Sequence, residues 1–321
     1  MNLSKSAIYS LLALSLAGSA FAQSQAVSSV PGPRELLGLG VNKQATGTQH
    51  RAVTASVATP GKAKVYQFAS ADFPGAATSL VFDRNSGDVI GDSVFTNSFG
   101  FTVQNGNYQK FVVPGSIGNE LTGINTQGEI VGVYSDSANV VHGFLDNLGT
   151  FTTLDIGGAG TTTEPIGIND SGEIVGAYID AANVNHGFST PDGTNFAIFD
   201  PPGATTTQAA GVNSAGIIVG LYTDSMNVNH GFQYSGGVFT SIDFPAAKGT
   251  VAIGINDYNE IAGYFTDAAS VNHGFIYANG QFTQVDVAGA TGTQLTRIKN
   301  KGNVTGTYTD TSMESHGLVG H

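Results

Sequence analysis

Several residue types are scarce or absent in this chain of 321 residues. It contains no cysteine and no tryptophan, and only 11% of its residues are charged, where roughly 25% is usual. The absence of cysteine excludes a disulfide scaffold, and the absence of tryptophan weakens the case for a lectin that stacks sugars on indole rings. With 10 prolines and 40% hydrophobic residues, the chain is neither collagen-like nor disordered throughout. Its stability must come from a packed core.

Charge and missing motifs narrow the function classes. The chain has a net charge of -12, and from residue 65 onward it contains 6 basic and 23 acidic residues. Such a surface repels a phosphate backbone, so we expect no nucleic-acid partner. The sequence also has no Gly-x-Ser-x-Gly elbow, no phosphate-binding loop, no His-Glu-x-x-His and no calcium loop with alternating acids. These absences exclude nucleotide enzymes and metalloproteases.

The N-terminal segment has the pattern of an export signal. Lys5 precedes an apolar run over residues 7–17, and small residues then lead to Ala22. This pattern predicts a secreted or periplasmic protein, cleaved near Ala22, whose mature chain lacks a transmembrane anchor. The segment that follows is rich in Ser, Ala, Gly and Thr, which is typical of a flexible linker. The predicted divisions are a signal peptide over 1–22, a low-complexity linker over 23–62 and a repeat domain over 63–321.

Three signatures recur along the repeat domain with a period of 43 or 44 residues. The first is His-Gly-Phe. The second lies upstream and reads Gly-Ile-Asn, then a turn, then a run ending in Tyr-x-Asp, while the third lies downstream and reads Phe-x-x-x-Asp. Each signature occurs six times when degenerate copies are included. The first signature begins at Phe99 in its degenerate copy and then at His142, His186, His230, His273 and His316.

Each repeat divides into four short runs separated by turn residues, which predicts four strands. Asn105-Gly106 and Asn279-Gly280 join the third and fourth runs and supply the positive φ angles of tight hairpins. Four antiparallel strands in about 40–45 residues is the period of a propeller blade. The sequence therefore predicts an all-β fold, a six-bladed β-propeller with four-stranded antiparallel blades.

The ends of the array predict how the ring closes. The chain enters the repeat near residues 65–73, in a fourth-strand signature, and ends after the third strand of the last repeat. The last repeat therefore lacks its fourth strand, and the N-terminal segment contains a fourth strand that belongs to no other repeat. We expect residues 65–73 to complete the last blade, which also covers an edge that would otherwise be exposed.

Together these motifs resemble those of the bacterial extracellular HAF-repeat proteins over residues 65–321. The resemblance implies an exported propeller and assigns no activity to particular residues. It is clearest in the third repeat, which reads Gly167-Ile168-Asn169-Asp170-Ser171-Gly172, then His186-Gly187-Phe188, then Phe196 and Asp200.

An aspartate six residues before each histidine forms the most prominent polar set. A pair that recurs in blade after blade is unsuited to a single catalytic centre, so we interpret it as a hydrogen-bond clamp on the loop between the second and third strands. A metal or acid–base role is the alternative. The pairs are Asp136/His142, Asp180/His186, Asp224/His230, Asp267/His273 and Asp310/His316.

Function is expected where the repeats differ. If the Gly-Ile-Asn strand is innermost, the position five residues before its Asn lies at the mouth of the channel. There Glu120 and Glu164 could act as an acid and a base on neighbouring blades, or could belong to a solvated mouth. Arg297 and Lys299 are basic on the last inner strand and could hold an anion, or could be internal charges that the surrounding acids neutralise. The position reads Ser79, Glu120, Glu164, Gln208, Val251 and Gln294.

Two hypotheses for the function follow. The first is an exported, non-catalytic, monomeric binding module whose partner is an unknown protein or polysaccharide, with candidate ligand-binding residues Glu120, Glu164, Gln208, Gln294, Arg297 and Lys299. The alternative is a carbohydrate-active enzyme, a polysaccharide lyase or glycosidase, that uses Glu120, Glu164 and Arg297 at the channel. We expect no cofactor and no metal, and the acidity of the domain leaves calcium as the alternative.

Overall fold

The structure is a computed structural model that describes residues 53–54, 66–70, 79–84, 88–93, 99–104, 107–158 and 160–320. The predicted signal peptide and most of the predicted linker lie outside these residues. Within the described ranges, no helix is long and apolar enough to cross a membrane.

The described residues form six antiparallel sheets, and each is one blade of a propeller. Blade one contains β3 (Ser79–Arg84), β4 (Asp88–Ser93), β5 (Phe99–Gln104) and β6 (Asn107–Lys110). Blade two contains β7 (Gly118–Ile124), β8 (Ile130–Ser135), β9 (Val141–Asn147) and β10 (Thr150–Leu154). Blade three contains β11 (Thr162–Ile168), β12 (Ile174–Ile179), β13 (Asn185–Thr190) and β14 (Ala197–Phe199).

The remaining blades follow the same order. Blade four contains β15 (Thr206–Val212), β16 (Ile218–Thr223), β17 (Asn229–Ser235) and β18 (Val238–Ile242). Blade five contains β19 (Gly249–Ile255), β20 (Ile261–Thr266), β21 (Asn272–Ala278) and β22 (Gln281–Val285). Blade six contains β23 (Gly292–Ile298), β24 (Val304–Thr309) and β25 (Ser315–Gly320), joined by β2 (Gln67–Ser70) and β1 (Val53–Thr54). The six-bladed propeller predicted from the repeats is confirmed.

The first strand of each repeat is the innermost one. Each of these strands contacts its equivalent in the next blade, and β23 contacts β3, so the six inner strands form a closed ring. The prediction that residues differing between the repeats lie at the channel depends on this placement.

The N-terminal strand closes the ring as predicted. β2 pairs antiparallel with β25, and Phe68, Ala69 and Ser70 lie opposite Gly320, Val319 and Leu318. Outside it, β1 pairs with β2 and makes a fifth strand. β1 lies within the range that the sequence analysis assigned to the linker, where two residues give no readable periodicity.

The core lies between neighbouring blades. Val131 and Leu154 of blade two, for example, pack against Ile174 and Phe188 of blade three, and equivalent clusters lie at the other interfaces. The phenylalanine of each complete His-Gly-Phe is at most 1% exposed. Burying a side chain of this size contributes roughly 1.5–3 kcal/mol, so this repeated residue holds one blade on the next.

A glycine on the second strand makes room for that phenylalanine. A Cβ added to Gly176 would lie 2.1 Å from the carbonyl oxygen of Glu164 and 2.7 Å from the ring of Phe188. The same conflict recurs at the equivalent glycines of the complete repeats. The Ile-Val-Gly part of the signature is thus a packing requirement.

Gly176→Ala should lower the free energy of unfolding by about 1–3 kcal/mol, because the added methyl group overpacks a buried contact. Chemical denaturation followed by circular dichroism measures this. Gly158→Ala is the matched control, since nothing lies within 4 Å of a Cβ added there. Equal stability of the two variants would contradict the packing argument.

The closure by β2 predicts different outcomes for two truncations. A chain lacking residues 23–62 loses β1 alone and should keep a cooperative thermal transition. A chain lacking residues 23–75 also loses β2, which exposes the edge of β25 and opens the ring, so its transition should broaden and fall. Identical melting curves would show that β2 does not close the ring.

Candidate functional site

The inner strands of blades two to five approach their neighbours so closely at one level that each has a glycine there. A Cβ added to Gly211 would lie 2.4 Å from the carbonyl oxygen of Ile253, and one added to Gly167 would lie 2.7 Å from that of Ala210. Each inner strand has a β-bulge just before this glycine position, which brings the backbone toward the axis. This level is the constriction of the channel.

Arg297 occupies the glycine position in blade six and fills the constriction. Its guanidinium donates hydrogen bonds to the carbonyl oxygens of Thr296 at 2.8 Å, Thr122 at 3.0 Å and Ile166 at 2.7 Å. The last two belong to blades two and three, across the ring from blade six. Arg297 is only 8% exposed, so its charge is stabilised by backbone dipoles aimed at the axis.

The asparagine of Gly-Ile-Asn links each blade to the next. Asn169 donates from Nδ2 to the carbonyl oxygen of Asn213 at 2.9 Å, while its Oδ1 accepts from the backbone of Ser171 and Glu173. The equivalent hydrogen bond joins Asn125 to Asn169, Asn213 to Asn256 and Asn256 to Lys299. Together these bonds form an asparagine ladder. In blade six, Lys299 replaces the asparagine and interrupts this pattern.

A cavity of about 410 Å³ opens on the side of the constriction where the inner strands end. Arg297 lies among its lining residues, Ile168, Val212, Ile255 and Ile298 contribute apolar side chains, and the turns after the inner strands supply the rim. The rim is mixed in charge. Its residues include Asp170, Ser214, Asp257, Lys299, Asn300 and Lys301.

The predicted candidates divide between two levels of the channel. Arg297 and Lys299 line the cavity, whereas Glu120, Glu164, Gln208 and Gln294 do not. Glu120 and Gln208 are buried, and Glu164 and Gln294 are half-buried, so neither carboxylate is fully exposed to solvent. The reason is the narrowness of the ring, which packs each inner strand against its neighbours.

The first blade departs from the predicted alignment. The backbone register pairs Leu80 with Asp92 in the way that it pairs Glu120 with Val133. Leu80 therefore stands at the ring position, and the assignment of Ser79 was wrong. Leu80 is also the residue that lies five positions before Asn85 in the sequence.

Glu120 and Glu164 have environments that favour their protonated forms. Burial, with repulsion from Glu164 as the smaller cause, raises the pKa of Glu120 to about 8. Burial raises the pKa of Glu164 to about 7. Two carboxyl groups with raised and different pKa values have the chemistry of an acid–base pair, but they lie away from the cavity.

The repeated Asp/His pairs form part of a larger arrangement. Asp180 Oδ1 accepts hydrogen bonds from the backbone of Ala182 and Val184, and its Oδ2 lies 3.6 Å from Nε2 of His186. Nδ1 of His186 lies 2.7 Å from Asp200, the aspartate of the third signature. The two carboxylates, Asp200 first, raise the pKa of His186, and the turn hydrogen bonds lower that of Asp180.

Two features of the site escaped the sequence reasoning. One is the second partner of each histidine, which was signalled by an aspartate 13 or 14 residues downstream. It is present in blades two to five as Asp155, Asp200, Asp243 and Asp286. The other is the asparagine ladder, whose signal was a buried polar residue recurring at the end of an apolar strand.

The buried carboxyl pair predicts a dependence of stability on pH. Because the pKa values of Glu120 and Glu164 are raised in the folded state, both groups bind protons more tightly there than in the unfolded chain. Their contribution is complete below about pH 4.5 and is lost as the pH rises through 7 to 8. Stability should fall by at most about 1.4 kcal/mol per pH unit per group in this window and then level off.

Urea denaturation of the wild type, Glu120→Gln and Glu164→Gln from pH 5 to 9 measures this slope. Each glutamine variant should have a shallower slope than the wild type. Asp192→Asn is the control, because hydrogen bonds from Asn195 and Thr194 hold the pKa of Asp192 well below its ordinary value and the carboxylate stays ionised throughout. Parallel slopes in all four proteins would contradict the raised pKa values.

Comparison with known proteins supports the fold. No protein-family model and no curated protein matches the sequence. The chain is similar to a lectin from Aleuria aurantia, described as a six-bladed β-propeller with a novel fucose recognition mode, at 12% identity and a TM-score of 0.47 over 74% of this chain and 89% of the lectin. It is also similar to TolB from Acinetobacter baumannii, at 10% identity and a TM-score of 0.52 over 76% of this chain and 63% of TolB. Identities this low show a shared propeller fold alone.

Proposed function

We propose that this propeller is an exported binding module whose ligand, a segment of a polysaccharide or of a protein partner, enters the axial cavity above Arg297. The observation that carries the proposal is the cavity itself. It is closed below by the constriction, and it combines four apolar side chains with a rim of polar side chains. Binding sites typically have this composition, an apolar concavity with a few placed polar groups.

The polar groups of the cavity favour binding over catalysis. The guanidinium of Arg297 is already bonded to three backbone carbonyls, which fixes it in place. On the rim, Asp257 accepts hydrogen bonds from the backbone of Ser214 and the side chain of Asn300, and these contacts lower its pKa. A carboxylate held ionised in this way is suited to accepting hydrogen bonds from hydroxyl or amide groups.

A second function has one observation in its favour. The raised pKa values of Glu120 and Glu164 suit a glycosidase or lyase, and propellers host many unrelated activities. Against it, neither carboxylate is among the residues that line the cavity beside Arg297. The binding module is therefore the function that the geometry supports best.

Blocking the cavity should weaken ligand binding strongly without unfolding the protein. Ser214 is exposed on the rim, and Ser214→Trp places an indole over the opening. The wild type is screened against neutral and acidic polysaccharides and the exported proteins of its source, and each ligand found is titrated. We expect at least a tenfold loss of affinity, which corresponds to about 1.4 kcal/mol.

Ser137→Trp is the matched control, since Ser137 is equally exposed on the turn between β8 and β9, at the opposite end of the blade. It should bind as the wild type does. Equal binding by both variants would move the site away from the cavity. Turnover of any polysaccharide that is lost in Glu120→Gln or Glu164→Gln would replace the binding module with the enzyme.

A further inference from the structure

The turn between β24 and β25 differs from its equivalents in one residue. In the four preceding blades, the residue four positions after the turn aspartate is valine, whereas blade six has Glu314. The rest of the turn is unchanged, because Asp310 Oδ1 accepts from the backbone of Ser312 and Glu314. The four valines are Val140, Val184, Val228 and Val271.

The substitution brings three donor side chains together. One ligand atom each from Asp310, Glu314 and His316 lies within 4.8 Å of the other two. Nε2 of His316 is 3.3 Å from Oδ2 of Asp310. Two ligands bound to one tetrahedral zinc ion, each about 2.1 Å from the metal, are roughly 3.4 Å apart. The spacing therefore suits one shared ion.

The equivalent turns provide an internal comparison. Nε2 of each histidine lies 3.4–3.6 Å from the turn aspartate there as well, so the spacing alone does not distinguish blade six. What distinguishes it is the third donor. Among the described residues, this group is the one in which three metal-ligating side chains converge.

Charge favours a divalent ion at this turn. Two carboxylates that share one imidazole leave a net negative charge at this turn, whether or not the ring carries a second proton. One divalent ion neutralises it, and the imidazole nitrogen favours a transition metal over magnesium or calcium.

We propose that Asp310, Glu314 and His316 bind one divalent transition-metal ion of the zinc type, with the remaining position open to water. The site lies at the end of blade six away from the axial cavity, since Thr309 pairs with Gly292 at the start of β23. It is therefore separate from the proposed ligand site. His316 belongs to β25, the strand that pairs with β2, so the ion stabilises the blade at which the ring closes.

Zinc titration of the chelator-treated full chain by isothermal calorimetry tests the proposal. We expect one tight equivalent per chain, and cobalt in place of zinc should give the visible absorption of a four-coordinate nitrogen–oxygen site. Glu314→Val restores the residue of the other blades and should weaken zinc binding at least about tenfold, since even changes outside the ligand set cost 10–100-fold. Magnesium and calcium at the same concentrations should give no saturable heat.

Val271→Glu in blade five is the reciprocal variant. It adds the missing donor next to Asp267 and His273, whose Nε2–Oδ2 separation is 3.4 Å, and it should raise the stoichiometry from one to two. Circular dichroism spectra checked before each titration show that the variants are folded. Absence of saturable zinc binding in the wild type, or unchanged affinity in a folded Glu314→Val, would overturn the proposal.

Discussion

The close approach of six backbones at the axis is the constraint on which the rest of the molecule depends. Sheets that pack through large buried phenylalanines, such as Phe188 and Phe232, bring their inner edges together. A Cβ on Gly211 has no room beside the carbonyl oxygen of Ile253. The glycines, the bulges before them and the second-strand glycines all follow from this one geometric demand. The constriction then separates a cavity on one side from a level of buried carboxyl groups on the other.

Hydrogen bonds that recur in blades two to five stabilise the ring, and this repetition separates structure from function. Asn169 forms hydrogen bonds both within its own turn and to a carbonyl oxygen of the next blade. Asp180, His186 and Asp200 likewise connect the turn between the second and third strands to the segment that follows the fourth strand. Groups used in this way have little capacity left for a ligand. A site for a ligand must therefore include at least one residue that the repeat does not share.

Most of the fold could be predicted because each structural motif recurs in several repeats of the sequence. The blade count, the strand order and the closing strand all follow from the phase of three signatures. The two-residue strand β1 could not be predicted, since pairing with β2 depends on tertiary proximity and not on periodicity. The ring position of blade one, by contrast, was readable from the sequence, since Leu80 lies five residues before Asn85.

The candidate site was less predictable than the fold because its partners are backbone atoms. The unusual charge of Arg297 was visible in the sequence, but the carbonyl oxygens of Thr122 and Ile166 that bind it leave no side-chain signal. The burial of Glu120, with 9% exposure, depends on the ring's diameter, which no single repeat encodes. Sequence reasoning placed the candidate residues on the inner strands and could not determine which side of the constriction each residue would occupy.

Blade six departs from the repeat at several positions, and the geometry of a ring gives a reason for one of them. The axis has space for one guanidinium, so six copies of Arg297 would exclude one another, and a residue that acts on the axis must break the repeat. Lys299 follows two residues later and interrupts the asparagine ladder, which places a second cation beside the cavity in a domain that is otherwise strongly acidic. The same blade has Glu314 in place of valine and takes its fourth strand from the N-terminus. Symmetric positions hold the ring together, and both proposed sites take their distinguishing residues, Arg297, Lys299 and Glu314, from the blade where that symmetry ends.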